Sequence, residues 1–146
     1  MQQYGVDYKE VFAPVARMET VRTLLAYLAQ RKWNAHHMDV KIAFLNGELT
    51  KEVYVMQPEG FVDKNNPNKV LKLHKALYGL KQAPRAWNEK LDKCLKSLKF
   101  ERCPFEHDVY MKKSGKDVTV VGVYVDDLIL TGSSSELIQK FKLEMM

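Results

Sequence analysis

The sequence predicts an α+β fold in which a mainly antiparallel sheet carries helices on one face. Three observations predict it. VYMKK, SGKD and VTVVGVYV read as a strand, a short turn and a strand, and LILT continues as a strand after a second turn at Asp126-Asp127. Residues 18–31 and the segment from Pro84 onward space their apolar side chains for helices. Between these helices stand short β-rich runs bounded by turn residues.

Each element follows from local pattern. Pro14 closes an extended lead-in. Met18, Val21, Leu24, Leu25 and Leu28 recur at helical spacing, which predicts an amphipathic helix over 18–31. AHHMDV, residues 35–40, reads as a strand, and the tight segment after it ends at Asn46-Gly47. EVYVM, 52–56, reads as a second strand. QPEGFVDKNNPN is rich in breakers and is the best linker candidate in the chain. KVLKLH, 69–74, alternates as a third strand. Pro84 suits the first turn of the next helix, where a missing N–H costs nothing. Trp87, Leu91, Cys94, Leu95 and Leu98 then lie along one helical face, while Lys90, Lys93, Lys96 and Lys99 lie elsewhere on the surface. After the hairpin, Ser133 and Glu136 have capping-box spacing, and Leu137, Ile138, Phe141 and Met145 continue a last helix.

Composition narrows the class. A chain of 146 residues is one domain or part of one, with 46% apolar and 28% charged residues, the balance of an ordinary globular protein. Basic residues number 23 and acidic residues 18, a net charge of +5 that is consistent with a polyanionic partner without establishing one. The two cysteines, Cys94 and Cys103, make no disulfide framework and read as reduced thiols in an intracellular protein. No apolar stretch is long enough for a membrane span, and MQQYGVDYKE is not a signal peptide. The histidines, His36, His37, His74 and His107, match no zinc spacing and read as ordinary residues. Trp33 and Trp87 read as core anchors rather than base-stacking platforms.

The residues that carry chemistry are acids set in apolar runs. In VVGVYVDDLILTG, Asp126 and Asp127 interrupt a β-rich stretch. Carboxylates are costly to bury unless paired, hydrogen-bonded or bound to a cation, and a turn lets them project from the end of a sheet. The same acids also suit a hairpin turn with no function, because turns favour them. In HMDVKIAFLNG, Asp39 sits in a second such run, with Met38 and Val40 on the opposite face by strand alternation; an exposed strand acid or a cap for the following turn is the other reading. Three carboxylates at one sheet edge suit a pair of Mg²⁺ ions about 4 Å apart, the arrangement that activates an attacking hydroxyl and neutralises a leaving pyrophosphate. Phosphoryl transfer needs mainly positioning and charge neutralisation, so this set would suffice as a chemical core.

Here the sequence resembles a known family. YVDD, residues 124–127, resembles the catalytic hairpin of reverse transcriptases. MDVKIAFLNGEL followed by VYVMQPEGF resembles the first catalytic motif and downstream segment of copia-type retrotransposon enzymes. LHKALYGLKQAPRAW, 73–87, resembles their second motif, and DYKEVFAPVARMETVRTLLA, 7–26, the segment before the palm. A single YxDD says little; four matches in family order, running from about Tyr4 to the last residue, say much more, and they argue against a generic α+β interaction domain with incidental acids.

The resemblance implies a copia-type reverse transcriptase domain over 1–146, truncated at both ends, with residues 1–34 in partial fingers and 35–146 in the palm of a right-hand polymerase. It implies that Asp39, Asp126 and Asp127 are the catalytic acids and, with the Val40 carbonyl, the ligands of two Mg²⁺ ions, Mn²⁺ being the alternative metal. Phe44 would be the steric gate against a ribose 2′-hydroxyl, although it also fits a core position. Gly79 and Gln82 would contact the incoming nucleotide, Pro84 the turn at the nascent pair and template, and Tyr124 and Val125 the primer end. Lys81 and Arg85 would approach phosphates or stay solvated. His37 stands where the family often has glutamine and Asn88 where an aromatic is frequent; neither is expected to touch a ligand. The implied partners are an RNA template, a DNA primer and dNTPs, with no membrane, and the implied location is cytoplasmic, in a virus-like particle. The implied reaction is nucleotidyl transfer from a dNTP to a primer 3′ hydroxyl. Upstream finger strands, the thumb and the RNase H region are expected elsewhere in a longer polyprotein, so this stretch alone is expected to polymerise weakly or not at all. The alternative is a catalytically inactive retrotransposon remnant that at most binds nucleic acid or protein.

Overall fold

The β-rich runs along residues 109–132 resolve into three adjacent antiparallel strands. The computed structural model describes residues 2, 5, 8, 10–13 and 16–145; Pro14, expected to close the lead-in, lies outside them. In chain order the elements are α1 (Met18–Arg31), β1 (His36–Asp39), a 3-10 turn (Ala43–Asn46), β2 (Glu48–Met56), β3 (Val70–Lys75), α2 (Ala83–Ser97), β4 (Glu101–Arg102), β5 (Val109–Ser114), β6 (Asp117–Tyr124), β7 (Asp127–Gly132) and α3 (Ser135–Glu144). The chain forms two compact units, Met1–Ala13 with Ile42–Lys90 and Pro14–Lys41 with Leu91–Met146.

The second unit is built on a five-stranded antiparallel sheet in the order β1-β7-β6-β5-β4. Its helices cover both faces, not the one face the sequence suggested. Gly122 pairs with Ile129 and Thr119 with Gly132, so Gly122 and Gly132 lie on opposite faces. A Cβ on Gly122 would come within 2.9 Å of Leu24 Cδ2 from α1, and one on Gly132 within 3.4 Å of Ile138 Cδ1 from α3. The physical reason is legible in VTVVGVYV: an almost continuous apolar run needs cover on both sides, whereas a sheet wetted on one side alternates. On the α1 side Leu24 and Leu28 are buried; on the other, Leu91, Leu95, Phe100, Tyr110, Val121, Leu128, Leu130, Ile138 and Phe141 form the core. Phe100 and Phe141 meet edge to face at 5.2 Å. Two local expectations shift by one residue. The cap of α3 is Ser134, whose Oγ accepts from Leu137 N, while the Ser133 hydroxyl donates to Asp117 Oδ1 and accepts from Val118 N. The turn before β7 is Val125-Asp126, because Tyr124 pairs with Asp127.

The first unit holds the β2–β3 hairpin and the first turns of α2. Gly47 is required here for close approach: a Cβ would lie 2.8 Å from the Ala86 carbonyl carbon and the Trp87 nitrogen, both backbone atoms. Trp87 is buried, as expected of a core anchor. QPEGFVDKNNPN is not a linker. Gln57 Nε2 donates to the carbonyls of Asn66 and Lys69, Gln57 Oε1 accepts from Asp63 N, and Asp63 accepts from Asn65 N and Asn66 Nδ2. A loop whose polar groups bond one another is a folded part of its unit, whatever its content of breakers.

Candidate carboxylate site

The hairpin between β6 and β7 fixes where its acids stand. Tyr124 and Asp127 close a two-residue turn, and Val125 takes φ +56° within it. A β-branched residue in the left-handed region is a genuine outlier that costs about 1–3 kcal/mol and persists where surroundings enforce it. Asp126 therefore occupies the turn, and Asp127 is the first residue of β7.

β1 brings the third acid to them. His36–Asp39 pairs antiparallel with β7 so that Asp39 is the register partner of Asp127. Val40 N donates to the Asp126 carbonyl at 2.9 Å, tying the end of β1 to the turn. Directly opposed residues have Cα atoms about 4.5–5.5 Å apart and side chains on one face. Acids 87 and 88 positions apart in the chain thus share one corner of the sheet (126 − 39 and 127 − 39). Asp39 is exposed, and Asp126 and Asp127 are half-buried.

A residue with no role foreseen from the motifs joins them. His37 Nε2 lies 2.6 Å from Asp127 Oδ1, with side chains 68% and 44% exposed. The expectation that His37 touches no presumed ligand is therefore wrong. The signal was available: His37 and Asp39 are two apart on one strand, so alternation puts them on the same face. Carboxylates are hard oxygen donors, so the donor types at this corner suit Mg²⁺ or Mn²⁺. Yet among the described residues no three His, Cys, Asp or Glu side chains stand together as a metal-holding group. The Asp127 carboxylate is turned to His37 instead.

The other expected site residues divide between the units. Tyr124 and Val125 stay with the acids. Phe44, Gly79, Lys81, Gln82, Pro84 and Arg85 belong to the first unit. There Phe44 lies half-buried with its ring 4.4 Å from that of Tyr78. Gly79 takes φ +93°. Gln82 Oε1 accepts from Gln2 Nε2, whereas its own buried Nε2 has no partner among the described residues. Lys81 donates its backbone N–H to Gln2 Oε1. Pro84 is the second residue of α2. Arg85 pairs with Glu10 at 2.5 Å and Glu89 at 2.9 Å, beside a cavity of about 310 Å³.

Behind the sheet the second unit has a charged cluster that the sequence did not reveal. Tyr110, 1% exposed, donates its hydroxyl to Asp92 Oδ1 at 3.0 Å and accepts from Arg102 Nε at 2.8 Å. Arg102 and Lys96 also bond Asp92, at 3.1 and 2.8 Å. Burial alone would raise the Asp92 carboxyl; Lys96, Tyr110 and Arg102 outweigh it and hold the group below its ordinary value. Burial pushes the Tyr110 phenol up to about 12. Cys94 and Cys103 are free thiols, as expected.

Comparison with known proteins gives the chain its relatives. A family described as "Reverse transcriptase (RNA-dependent DNA polymerase)" matches residues 1–146. The Retrovirus-related Pol polyprotein from transposon RE1 of Arabidopsis thaliana is 43% identical over 137 residues, 94% of this chain and 9% of the polyprotein. Its counterpart from transposon RE2 of the same plant is 41% identical over 138 residues, 94% of this chain and 10% of the polyprotein. The one from transposon TNT 1-94 of Nicotiana tabacum is 41% identical over 142 residues, 97% and 11% respectively. The chain thus spans about a tenth of the Pol polyproteins it matches. No solved structure gives a significant match. Among the described residues no helix is long and apolar enough to cross a membrane.

Proposed function

The chain belongs to the copia-type reverse transcriptase family, and on that premise we propose that it is the catalytic part of an RNA-directed DNA polymerase, with residues 35–146 as palm and 1–34 as part of the fingers. The observation that carries this is the Asp39–Asp127 register pair beside Asp126, which gathers three acids from distant sequence at one sheet corner. Asp39, Asp126 and Asp127, with the Val40 carbonyl, would hold two Mg²⁺ ions, Mn²⁺ being the alternative; bound there, the metal would supply activation of the primer 3′ hydroxyl and neutralisation of the leaving pyrophosphate.

The chain's own groups do the rest. Val125, held at φ +56°, keeps Asp126 in the turn and Tyr124 beside it, where the two would meet the primer end. Phe44 would crowd a 2′-hydroxyl, with Tyr78 backing its ring and limiting its rotation. Gln82, whose Nε2 is buried and unpartnered among the described residues, would have to turn outward to meet the incoming nucleotide beside Gly79, and Pro84 would sit at the template turn. Lys81 would approach a phosphate directly; Arg85 would first have to leave Glu10 and Glu89. The partners are an RNA template, a DNA primer and dNTPs, and a longer Pol polyprotein would supply the thumb and RNase H region and carry the domain into a cytoplasmic virus-like particle.

A second reading, an inactive remnant that at most binds nucleic acid or protein, is favoured by one observation: no three acids stand as a metal-holding group among the described residues. Mg²⁺-dependent extension of a DNA primer on an RNA template, beside an Asp126→Asn control, decides between them. Extension lost in the control supports the polymerase; extension that survives the control overturns the assignment of the acids. A folded chain that binds the hybrid and never extends it, with or without the following polyprotein segments, supports the remnant.

A further inference from the structure

We propose that His37 is a positioning residue that holds the Asp127 carboxylate away from Asp39 and Asp126, so that a divalent cation must displace the imidazole to recruit Asp127. The inference rests on the reading of these three acids as cation ligands.

The geometry gives the direction. Asp127 directly faces Asp39, whereas His37 faces Ile129, one step farther from the turn. The contact between His37 Nε2 and Asp127 Oδ1, at 2.6 Å, therefore runs diagonally across the β1–β7 ladder, on the side of Asp127 away from the turn that carries Asp126. Diagonal cross-strand neighbours are within reach of long side chains, and like charges directly opposed are unfavourable. Turning to His37 relieves the Asp39–Asp127 opposition and exchanges it for a hydrogen bond to a charged acceptor. Among the described residues the acids do not stand together as a metal-holding group, and one oxygen of Asp127 is engaged by His37. A cation between Asp39 and Asp126 supplies the missing positive charge, and Asp127 then gains more by joining it than by staying on the imidazole. His37 therefore acts through Asp127 and opposes cation capture.

The test is Mn²⁺ binding to the full chain at one fixed pH, read from the resonance of free Mn²⁺. His37→Ala is expected to bind about two- to five-fold more tightly than wild type, the range set by one exposed polar contact. His37→Gln, which keeps an N–H donor, is expected to stay within two-fold of wild type. In the wild type, added Mg²⁺ is expected to shift the His37 imidazole ¹⁵N resonances, and in Asp126→Asn it is expected not to. Equal or weaker Mn²⁺ binding by His37→Ala, alongside binding that Asp126→Asn abolishes, overturns the role of His37 and leaves the acid site standing. If no chain binds Mn²⁺ in a manner that depends on Asp126, the acid site and the role of His37 both fall.

Discussion

Asp39 and Asp127 are direct partners across the β1–β7 ladder, two acids opposed in register at one edge of the sheet. Opposed like charges cost up to roughly 0.2–1 kcal/mol, and whatever opposition the His37 contact leaves unrelieved works against stability. Asp39→Asn is therefore expected to raise thermal stability slightly, by about 0.2–1 kcal/mol, and to lower Mg²⁺-dependent primer extension to background. Paired thermal melts and extension assays check it; a loss of stability in Asp39→Asn would mean that Asp39 has a structural partner.

The Asp92 cluster should show as acid sensitivity. Its carboxyl is held below the ordinary 3.8 once burial is outweighed by Lys96, Tyr110 and Arg102. A depressed acid contributes stability that is present above the unfolded value and lost as pH falls through the folded one. Asp92→Asn is expected to cost about 1.5–3 kcal/mol at neutral pH, with the gap to wild type closing below pH 3.8. Tyr110→Phe, which removes the bridging hydroxyl, is expected to cost about 1–3 kcal/mol. Denaturant titrations at several pH values measure both.

Asp108 should show the opposite slope. It is 6% exposed, and its Oδ1 has no partner among the described residues. Burial raises its carboxyl; Arg102 and His107 oppose the shift and Glu106 adds to it. A raised acid contributes stability that is full below the unfolded value and lost as pH rises through the folded one. Asp108→Asn is expected to melt higher than wild type at pH 7, with the difference gone below pH 3.8. A variant that melts lower at pH 7 would show that the ionised carboxylate is stabilised where it lies.

The two faces of the sheet can be told apart by their glycines. A Cβ on Gly132 would come within 2.5 Å of the Val118 carbonyl oxygen, a backbone atom, whereas one on Gly122 would meet only the movable Leu24 Cδ2. Gly132→Ala is expected to cost about 1–3 kcal/mol. Gly122→Ala should cost less, and its cost should shrink in a Leu24→Ala background through coupling of neighbours. Additive Gly122 and Leu24 effects would remove α1 from that face.

The elements were legible because each depends on near neighbours. Helical spacing at Met18, Val21, Leu24 and Leu28 marks α1 over the span the structure gives, and two β-rich runs around the short SGKD turn mark the β5–β6 hairpin. The two-residue β4 is too short to leave a period and is not expected from the sequence, whereas the 3-10 turn at Ala43–Asn46 fills the tight segment expected to end at Asn46-Gly47. The expected cap at Ser133 and the expected linker at 57–68 differ from the structure for another reason. Both are decided by hydrogen bonds to residues some distance away, Ser133 to Asp117 and Val118 and Gln57 to Asn66 and Lys69.

By itself the sequence determined the family, the acidic character of the β6–β7 turn and the order of the elements, because these reside in residue identity and local period. Only the tertiary structure decided that Asp39 is opposed to Asp127, that Asp127 meets His37, that helices cover both sheet faces, and that Asp92, Arg102 and Tyr110 form one cluster. Those facts depend on register and long-range pairing. A strand's period says which side chains share its face, but not which strand will lie beside it or at what offset.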